Sequence, residues 1–375
     1  MKAAGIMSGT SLDGIDVAIV DFGPRWKMKA LAFRSVPYPR SVREALLGVS
    51  NTMTHTASIA RLNFLLGELY AEALIATAKR ARIPLNEIII VGLHGQTIFH
   101  EGAPVEYLGR CIASTFQIGE SAVVAERTGI QVFSNFRERD IAAGGTGAPL
   151  VPLVDYMLFK TRRICRAVVN IGGIANVTIL PSGATPEQVI AFDTGPGNIV
   201  IDALVSHYTE GRQTFDRNGR IARSNKVHQE LLRSMRSDPY FYRKPPKTSG
   251  REQFGQQYVN GLIATGIPLP DLIATATELT ARSIADAILR FTPDGDVETI
   301  VSGGGVHNAW MMKQLHYFLH PGKVRSTADF GIDPDAKEAI AFAVLAHRTF
   351  SRAPGNLPSA TGARHAVRLG KSALP

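Results

Sequence analysis

The chain is 375 residues long, more than one hydrophobic core ordinarily serves, so two domains are expected. Hydrophobic residues at 45% exclude disorder, and apolar runs of only strand length, such as residues 88–91, exclude a membrane-spanning helix. The net charge of +9 is scattered in short groups such as Lys79-Arg80 and Arg162-Arg163, so no nucleic-acid and no membrane partner is expected, while a small anionic substrate stays open.

The chain starts with a strand-turn-strand, GIMSGTSLDGIDVAIVDF, over residues 5–22, and a third strand is expected over residues 27–36. Residues 58–82 place apolar side chains at helical spacing with charges on the other face, which predicts a long amphipathic helix. A buried strand over residues 88–93 runs into His94-Gly95-Gln96-Thr97. A short helix over residues 121–128 and a strand over 131–136 follow. The glycine-rich stretch 142–149, AAGGTGAP, reads as the crossover between a first lobe of residues 1–145 and a second of 146–375.

The second half repeats this plan. Its hairpin, AVVNIGGIANVTIL, is followed by a strand over residues 189–192 and by Asp193-Thr194-Gly195-Pro196-Gly197-Asn198 leading into a helix. Residues 211–247 are polar, Arg-rich and aromatic and read as an insertion. A helix within 268–291, a strand over 298–301 and the turn Ser302 to Gly305 come next. Alternating strands and helices predict α/β layers, and a repeat of half the chain indicates duplication.

Two small-residue turns, one per half, suggest two lobes gripping one polyphosphate, which points to ATP. In the first, Gly9 and Gly14 allow a tight turn, and Thr10 and Ser11 offer hydroxyl donors. Asp13 suits a magnesium-bound water; a plain hairpin turn capped by that Asp is the other reading. In the second, Gly172 and Gly173 break a β-branched run, so something approaches the backbone there, or the pair is a glycine bulge. Gly303, Gly304 and Gly305 suit contact with a base or ribose.

Asp193, after VIAF and before a Gly/Pro turn, is either a general base at a strand's C-terminal edge or the N-cap of the next helix. His94 is either a catalytic or sugar-binding group or a satisfied buried imidazole. Arg137 could clamp a phosphate or carboxylate, or pair with Glu138 and Asp140 at the surface. Glu338 is a solvated first-turn residue or a substrate acceptor. Cys111 and Cys165 stand far apart outside any CxxC or Cys/His cluster, so neither a disulfide framework nor a metal-ligand set is expected. The polar break at Ser8 to Ser11 interrupts any signal-peptide core, and a cytoplasmic location is expected.

In order and spacing, GTSLDG, GLHGQT, QIGE, RDIAAGG-GAPLVP, NIGGIANVT, FDTGPGN, SDPYF, KTSGRE, SGGGVHN and GNLPSATGA resemble the anhydro-N-acetylmuramic acid kinases, from Gly5 to about Gly370. The resemblance implies a duplicated two-lobed α/β fold, actin-like with ribonuclease H-like lobes and an interlobe cleft. It implies phosphorylation of 1,6-anhydro-N-acetylmuramic acid by ATP with Mg2+, hydrolytic opening of the anhydro ring, and a place in cell-wall recycling. The ATP site would comprise Gly9, Thr10, Ser11, Leu12, Asp13, Gly14, Ile15 and Asp16, with Asn170, Gly172, Gly173, Gly195, Gly197, Asn198 and Gly303 to Gly305 from the second half. Asp193 would be the catalytic base, and His94, Thr97, Arg137 and Glu338 would line the sugar pocket. Two departures are Asn135, where the family commonly has Asp, and Thr146, where it has Gln. The stretch 102–114 also looks longer than usual. The rivals are a levoglucosan-type anhydro-sugar kinase and a silent nucleotide sensor; a homodimer is left open.

Overall fold

The elements follow the hydrophobic periodicity closely. In a computed structural model, which describes residues 1–9, 12–24, 28–292 and 297–375, the chain begins with strands β1 (Lys2–Ser8), β2 (Gly14–Phe22) and β3 (Met28–Pro37). Helices α1 (Arg40–Leu47) and α2 (Thr56–Arg80) lead to β4 (Ile88–Tyr107) and β5 (Arg110–Ile118). Then come α3 (Ser121–Thr128), β6 (Gln131–Ser134), α4 (Phe136–Ala142) and α5 (Val151–Phe159). The second half opens with β7 (Cys165–Ile171), β8 (Ile174–Leu180), β9 (Ile190–Pro196) and α6 (Ile199–Tyr208). Five helices follow: α7 (Arg220–Ser224), α8 (Gln229–Arg236), α9 (Pro239–Tyr242), α10 (Arg251–Phe254) and α11 (Gln256–Ile263). The chain continues through α12 (Leu269–Phe291), β10 (Val297–Ser302), α13 (Ala309–Phe318) and β11 (Lys323–Ser326), and ends with α14 (Lys337–Phe350), α15 (Pro358–Thr361) and β12 (Lys371–Ala373).

The chain divides into two compact units, residues 1–154 with 336–375, and residues 155–335. In the first, the sheet order is β12-β6-β4-β1-β2-β3, with β5 paired to β4. Strands β1, β2 and β3 form an antiparallel meander, and β4 and β6 add in parallel on the other side of β1. In the second, the order is β11-β10-β7-β8-β9, with β7, β8 and β9 as the meander and β10 and β11 parallel to β7. Both sheets thus carry one plan: three antiparallel strands, then two parallel strands beyond the first.

Helix α2 presents Leu62, Leu66, Tyr70 and Leu74, each four residues apart, to the core made by Ile6, Val17, Ile19 and Val91. Its last turn carries Lys79 and Arg80, the favoured charge for a helix C-terminus. In the second unit α12 is buried on nearly every side, with Leu272, Leu279, Ile284 and Ile288 in the core of β7 and β8. Each buried aliphatic side chain contributes about 1.5–3 kcal/mol. Among the described residues, no helix is long and apolar enough to cross a membrane.

Three features differ from the expectation. The C-terminal segment returns to the first unit instead of staying with the second: α14 packs on β1, β2 and β4, and β12 pairs with β6. The return depends on two glycines. A Cβ on Gly5 would lie 1.8 Å from the Ala339 carbonyl oxygen, and one on Gly92 would lie 2.0 Å from that of Phe342, so α14 lies directly on the sheet backbone.

The glycine-rich stretch 142–149 is no crossover. The buried carboxylate of Asp140 accepts from the Gly147 N–H (2.8 Å), Asn356 Nδ2 (2.6 Å) and Thr361 Oγ1 (2.8 Å), pinning the stretch within the first unit. The division between units falls later, inside α5.

Residues 102–114, with no strand expected, form the outer part of a long β4–β5 hairpin. Its turn has positive φ at both Leu108 (50°) and Gly109 (75°), the twist-matched hairpin conformation, reached here without the usual Asn-Gly signal.

Candidate active site

In the second unit, β7 and β8 meet at the Gly172-Gly173 turn, and the carbonyls of that turn are already engaged. The Asn198 N–H donates to the Gly172 carbonyl (2.8 Å), and the Gly197 and Ile199 N–H groups donate to that of Gly173 (2.9 and 3.1 Å). A Cβ on Gly197 would lie 2.3 Å from the Gly172 oxygen, so the two turns touch through backbone. The amides of Gly197 and Asn198 therefore brace the hairpin. Asn198 is the N-cap of α6, and its Nδ2 donates to the Ile171 carbonyl (3.3 Å).

Gly303, Gly304 and Gly305 follow β10 and stack on the same place. Gly303 has φ +81° and packs against Asn170 and Ile171, Gly305 packs against the Ile171 side chain, and Gly304 is exposed. Ser302 Oγ holds this corner together by donating to the Val169 carbonyl (3.0 Å) and to Asn170 Oδ1 (3.2 Å). Asn170, Gly172, Gly173, Gly197, Asn198 and Gly303 to Gly305 are thus one surface at the C-terminal ends of β7 and β10.

Asp193 lies within β9 rather than after a strand, because β9 runs on to Pro196. Opposite it, the ladder slips: Asn176 pairs with Asp193 but Ala175 pairs with Gly195, leaving Thr194 as an extra residue. A bulge of this kind re-aims the neighbouring side chain. The carboxylate is not a helix cap, since Asn198 occupies that position; its Oδ2 accepts from the Ser249 N–H (2.9 Å). Burial pushes Asp193 up to about 6, with Glu252 reinforcing it, while the Ser249 N–H and the Lys247 cation act against it. Gly195 lies beneath the ring of Phe241. Tyr240, Lys247 and Ser249, which no single-residue reading singled out, hold Asp193 in place; the strings SDPYF and KTSGRE were their signal.

In the first unit, the turn after β1 places Gly9 under Gln96, whose buried Nε2 donates to the Gly9 carbonyl (3.1 Å). Thr10 and Ser11 lie outside the described residues. Leu12 has φ +57° and buries its side chain in the core with Ile15, so these two can offer only backbone to a ligand. Asp13 is exposed, Gly14 is packed under β3, and Asp16 is half-buried in β2 opposite Met7 and Ser35.

The β1–β4 ladder also slips at this end, from Ile6 opposite Leu93 to Ser8 opposite Gln96, and Gly95 takes φ +80°. The slip turns His94 inward against Phe342 of α14, with ring centroids 4.7 Å apart. There His94 Nε2 accepts from Arg137 Nε (3.2 Å) and Nη2 (2.9 Å), which places the ring proton on Nδ1. Burial first, then the Arg137 cation, holds His94 down at about 3, so it is neutral at any working pH.

Arg137 Nη1 donates to the Gly147 carbonyl (2.9 Å), and Glu338, half-buried in the first turn of α14, is the carboxylate that most offsets the cost of burying the guanidinium. His94, Arg137 and Glu338 are therefore brought together. Thr97 lies further along β4, its hydroxyl accepting from Gln117 Nε2 (3.2 Å).

The two departures from the family pattern keep to the protein. Asn135 sits at φ +57°, a conformation Asn tolerates well, and contacts Glu138, while the Thr146 hydroxyl donates to the Ala148 carbonyl (2.6 Å).

The repeated sheet plan defines a duplicated α/β fold. The family model for anhydro-N-acetylmuramic acid kinase matches residues 1–374. The anhydro-N-acetylmuramic acid kinase of Caldanaerobacter subterraneus is 45% identical over 99% of this chain and 96% of its own. That of Salinibacter ruber is 42% identical over the same shares. Among solved structures, component A of the Acidaminococcus fermentans (R)-2-hydroxyglutaryl-CoA dehydratase aligns with a TM-score of 0.45 at 14% identity, covering 94% of this chain and 99% of that one. The chain belongs to the anhydro-N-acetylmuramic acid kinase family, and it is a kinase.

Proposed function

We propose that this chain transfers the γ-phosphoryl group of ATP to 1,6-anhydro-N-acetylmuramic acid while water opens the anhydro bridge, giving N-acetylmuramic acid 6-phosphate and ADP. The observation that carries the reading is Asp193: a carboxylate re-aimed by a bulge, fixed through one oxygen by the Ser249 N–H, and raised to about 6. A carboxylate with that value is ionised at neutral pH, yet far more basic than a solvated one, which suits it to take a proton from water.

Asp193 would draw a proton from a water as its oxygen bonds to the anomeric carbon. The bond from that carbon to the bridging oxygen breaks, and the released 6-oxygen attacks the γ-phosphorus, expelling ADP. The turns at Gly9 and at Gly172-Gly173 would hold the phosphates by backbone N–H groups. Arg137, oriented by His94 and Gly147, would meet polar groups of the sugar with Thr97 and Glu338.

The donor set fits a hydrated magnesium ion arriving with the nucleotide. Asp13 is exposed at the first phosphate turn, and among the described residues no cluster of three or more Asp, Glu, His or Cys is gathered for a metal. When bound, magnesium would neutralise phosphate charge. We assign the chain to amino-sugar salvage from the cell wall, in the cytoplasm, because substrate and product are cell-wall sugars.

The test is Asp193→Asn. Nucleotide binding should survive, while turnover falls by roughly 100-fold or more, the scale of a lost general base. Turnover near the wild-type rate would remove Asp193 from the chemistry.

A further inference from the structure

The segment 238–250 clasps β9 at one residue. The Asp193 N–H donates to the Lys247 carbonyl (3.1 Å), the Tyr240 hydroxyl donates to the Asp193 carbonyl (2.7 Å), and the Ser249 N–H donates to Asp193 Oδ2 (2.9 Å). Between these contacts the Lys247 side chain turns inward and is only 8% exposed. Its Nζ donates to the Tyr240 carbonyl (3.1 Å), with a longer contact to that of Phe241 (3.4 Å). It also lies over the rings of Tyr240 (4.6 Å) and Phe192 (5.6 Å). Among the described residues it makes no ion pair. A methionine would fill the same space without the cost of desolvating a charge, so packing alone does not account for a lysine here.

We propose that Lys247 is a positioning residue for Asp193: its ammonium ties residue 247 to the Tyr240 and Phe241 carbonyls, holding together the segment that clasps β9, and keeps a positive charge within electrostatic reach of the carboxylate. This rests on Asp193 being the base of the reaction. The charged groups around the pair define the balance. Burial and Glu252 favour the protonated carboxyl, and Lys247 opposes them. On the lysine, burial and the cations of Arg290 and Arg243 lower its value to about 8, against Asp193, so Lys247 is still charged near pH 6, where Asp193 titrates. Arg290 itself is tied to the segment by Nη1 donating to the Tyr242 carbonyl (3.1 Å).

The experiment is the pH profile of kcat/KM with ATP and the anhydro sugar, for the full chain and for Lys247→Met and Lys247→Gln. Loss of the charge should move the acid limb upward by about half a pH unit or more in both variants, since a nearby cation favours an ionised carboxylate. The rate deficit should be largest near pH 6 and shrink toward pH 8, where Asp193 is ionised with or without help. The glutamine keeps an N–H donor for the Tyr240 carbonyl, so it separates loss of charge from loss of packing should the methionine variant fold poorly. An acid limb that stays in place, with activity unchanged or reduced equally at every pH, would overturn the proposal. The parallel Asp193→Asn measurement keeps the two readings apart. A fully active Asn variant sinks the base itself, whereas an inactive one beside an unmoved limb in the Lys247 variants sinks only the role of Lys247.

Discussion

A half-buried carboxylate costs stability at the pH where it works. Asp193 titrates at about 6 in the fold against 3.8 for its ordinary value. Between those values the folded chain holds a proton that the unfolded chain has released, so stability falls as pH rises from about 4 to about 6, and stays lower above it. The cost is on the order of 2–3 kcal/mol for a shift of this size. Asp193→Asn removes it. The melting temperature of the Asn variant should exceed that of the wild type at pH 7.5, and the difference should close near pH 4. Equal melting temperatures across the range would mean that the carboxylate is not desolvated. Residue identity alone could nominate Asp193 but could not choose between a base and a helix cap. The position of Asn198 removes the cap. His94 was equally balanced; in the fold its ring is buried, neutral and accepts from Arg137.

At the scale of elements, the regular helices and short buried strands were legible because one face of each is apolar. α3 and α12 lie over their expected residues, and α2 and β10 depart by a residue or two. The β4–β5 hairpin was not legible, because Gly102, Pro104 and a Leu-Gly turn interrupt the alternation that marks a strand. The seating of α14 was hidden for a different reason: it depends on missing side chains, Gly5 and Gly92, in strands distant from the helix in sequence. Gly92→Ala should lower stability in urea unfolding by about 1–3 kcal/mol, the usual cost of overpacking, because the obstacle is helix backbone and cannot rotate away. An unchanged midpoint and slope would show that α14 is free to shift on the sheet.

For the molecule as a whole, duplication was visible in sequence as two similar turns, and five strands of each sheet follow one plan, to which the first sheet adds β5 and β12. The division of the chain was misread, since a cut at the glycine-rich stretch ignores Asp140, Asn356 and Thr361, polar residues that meet only in the fold. On the proposed function, the unrepeated parts, Asp193 with its clasp and the His94–Arg137–Glu338 group, are where specificity for an anhydro sugar would reside. The central claim is that water opens the anhydro bridge and the freed 6-oxygen takes the phosphoryl group. Turnover in oxygen-18 water, read promptly by mass spectrometry of the sugar phosphate and its fragments, tests it directly. We expect one label at the anomeric hydroxyl and none in the phosphate ester. Label appearing in free phosphate, with the sugar unlabelled, would contradict it.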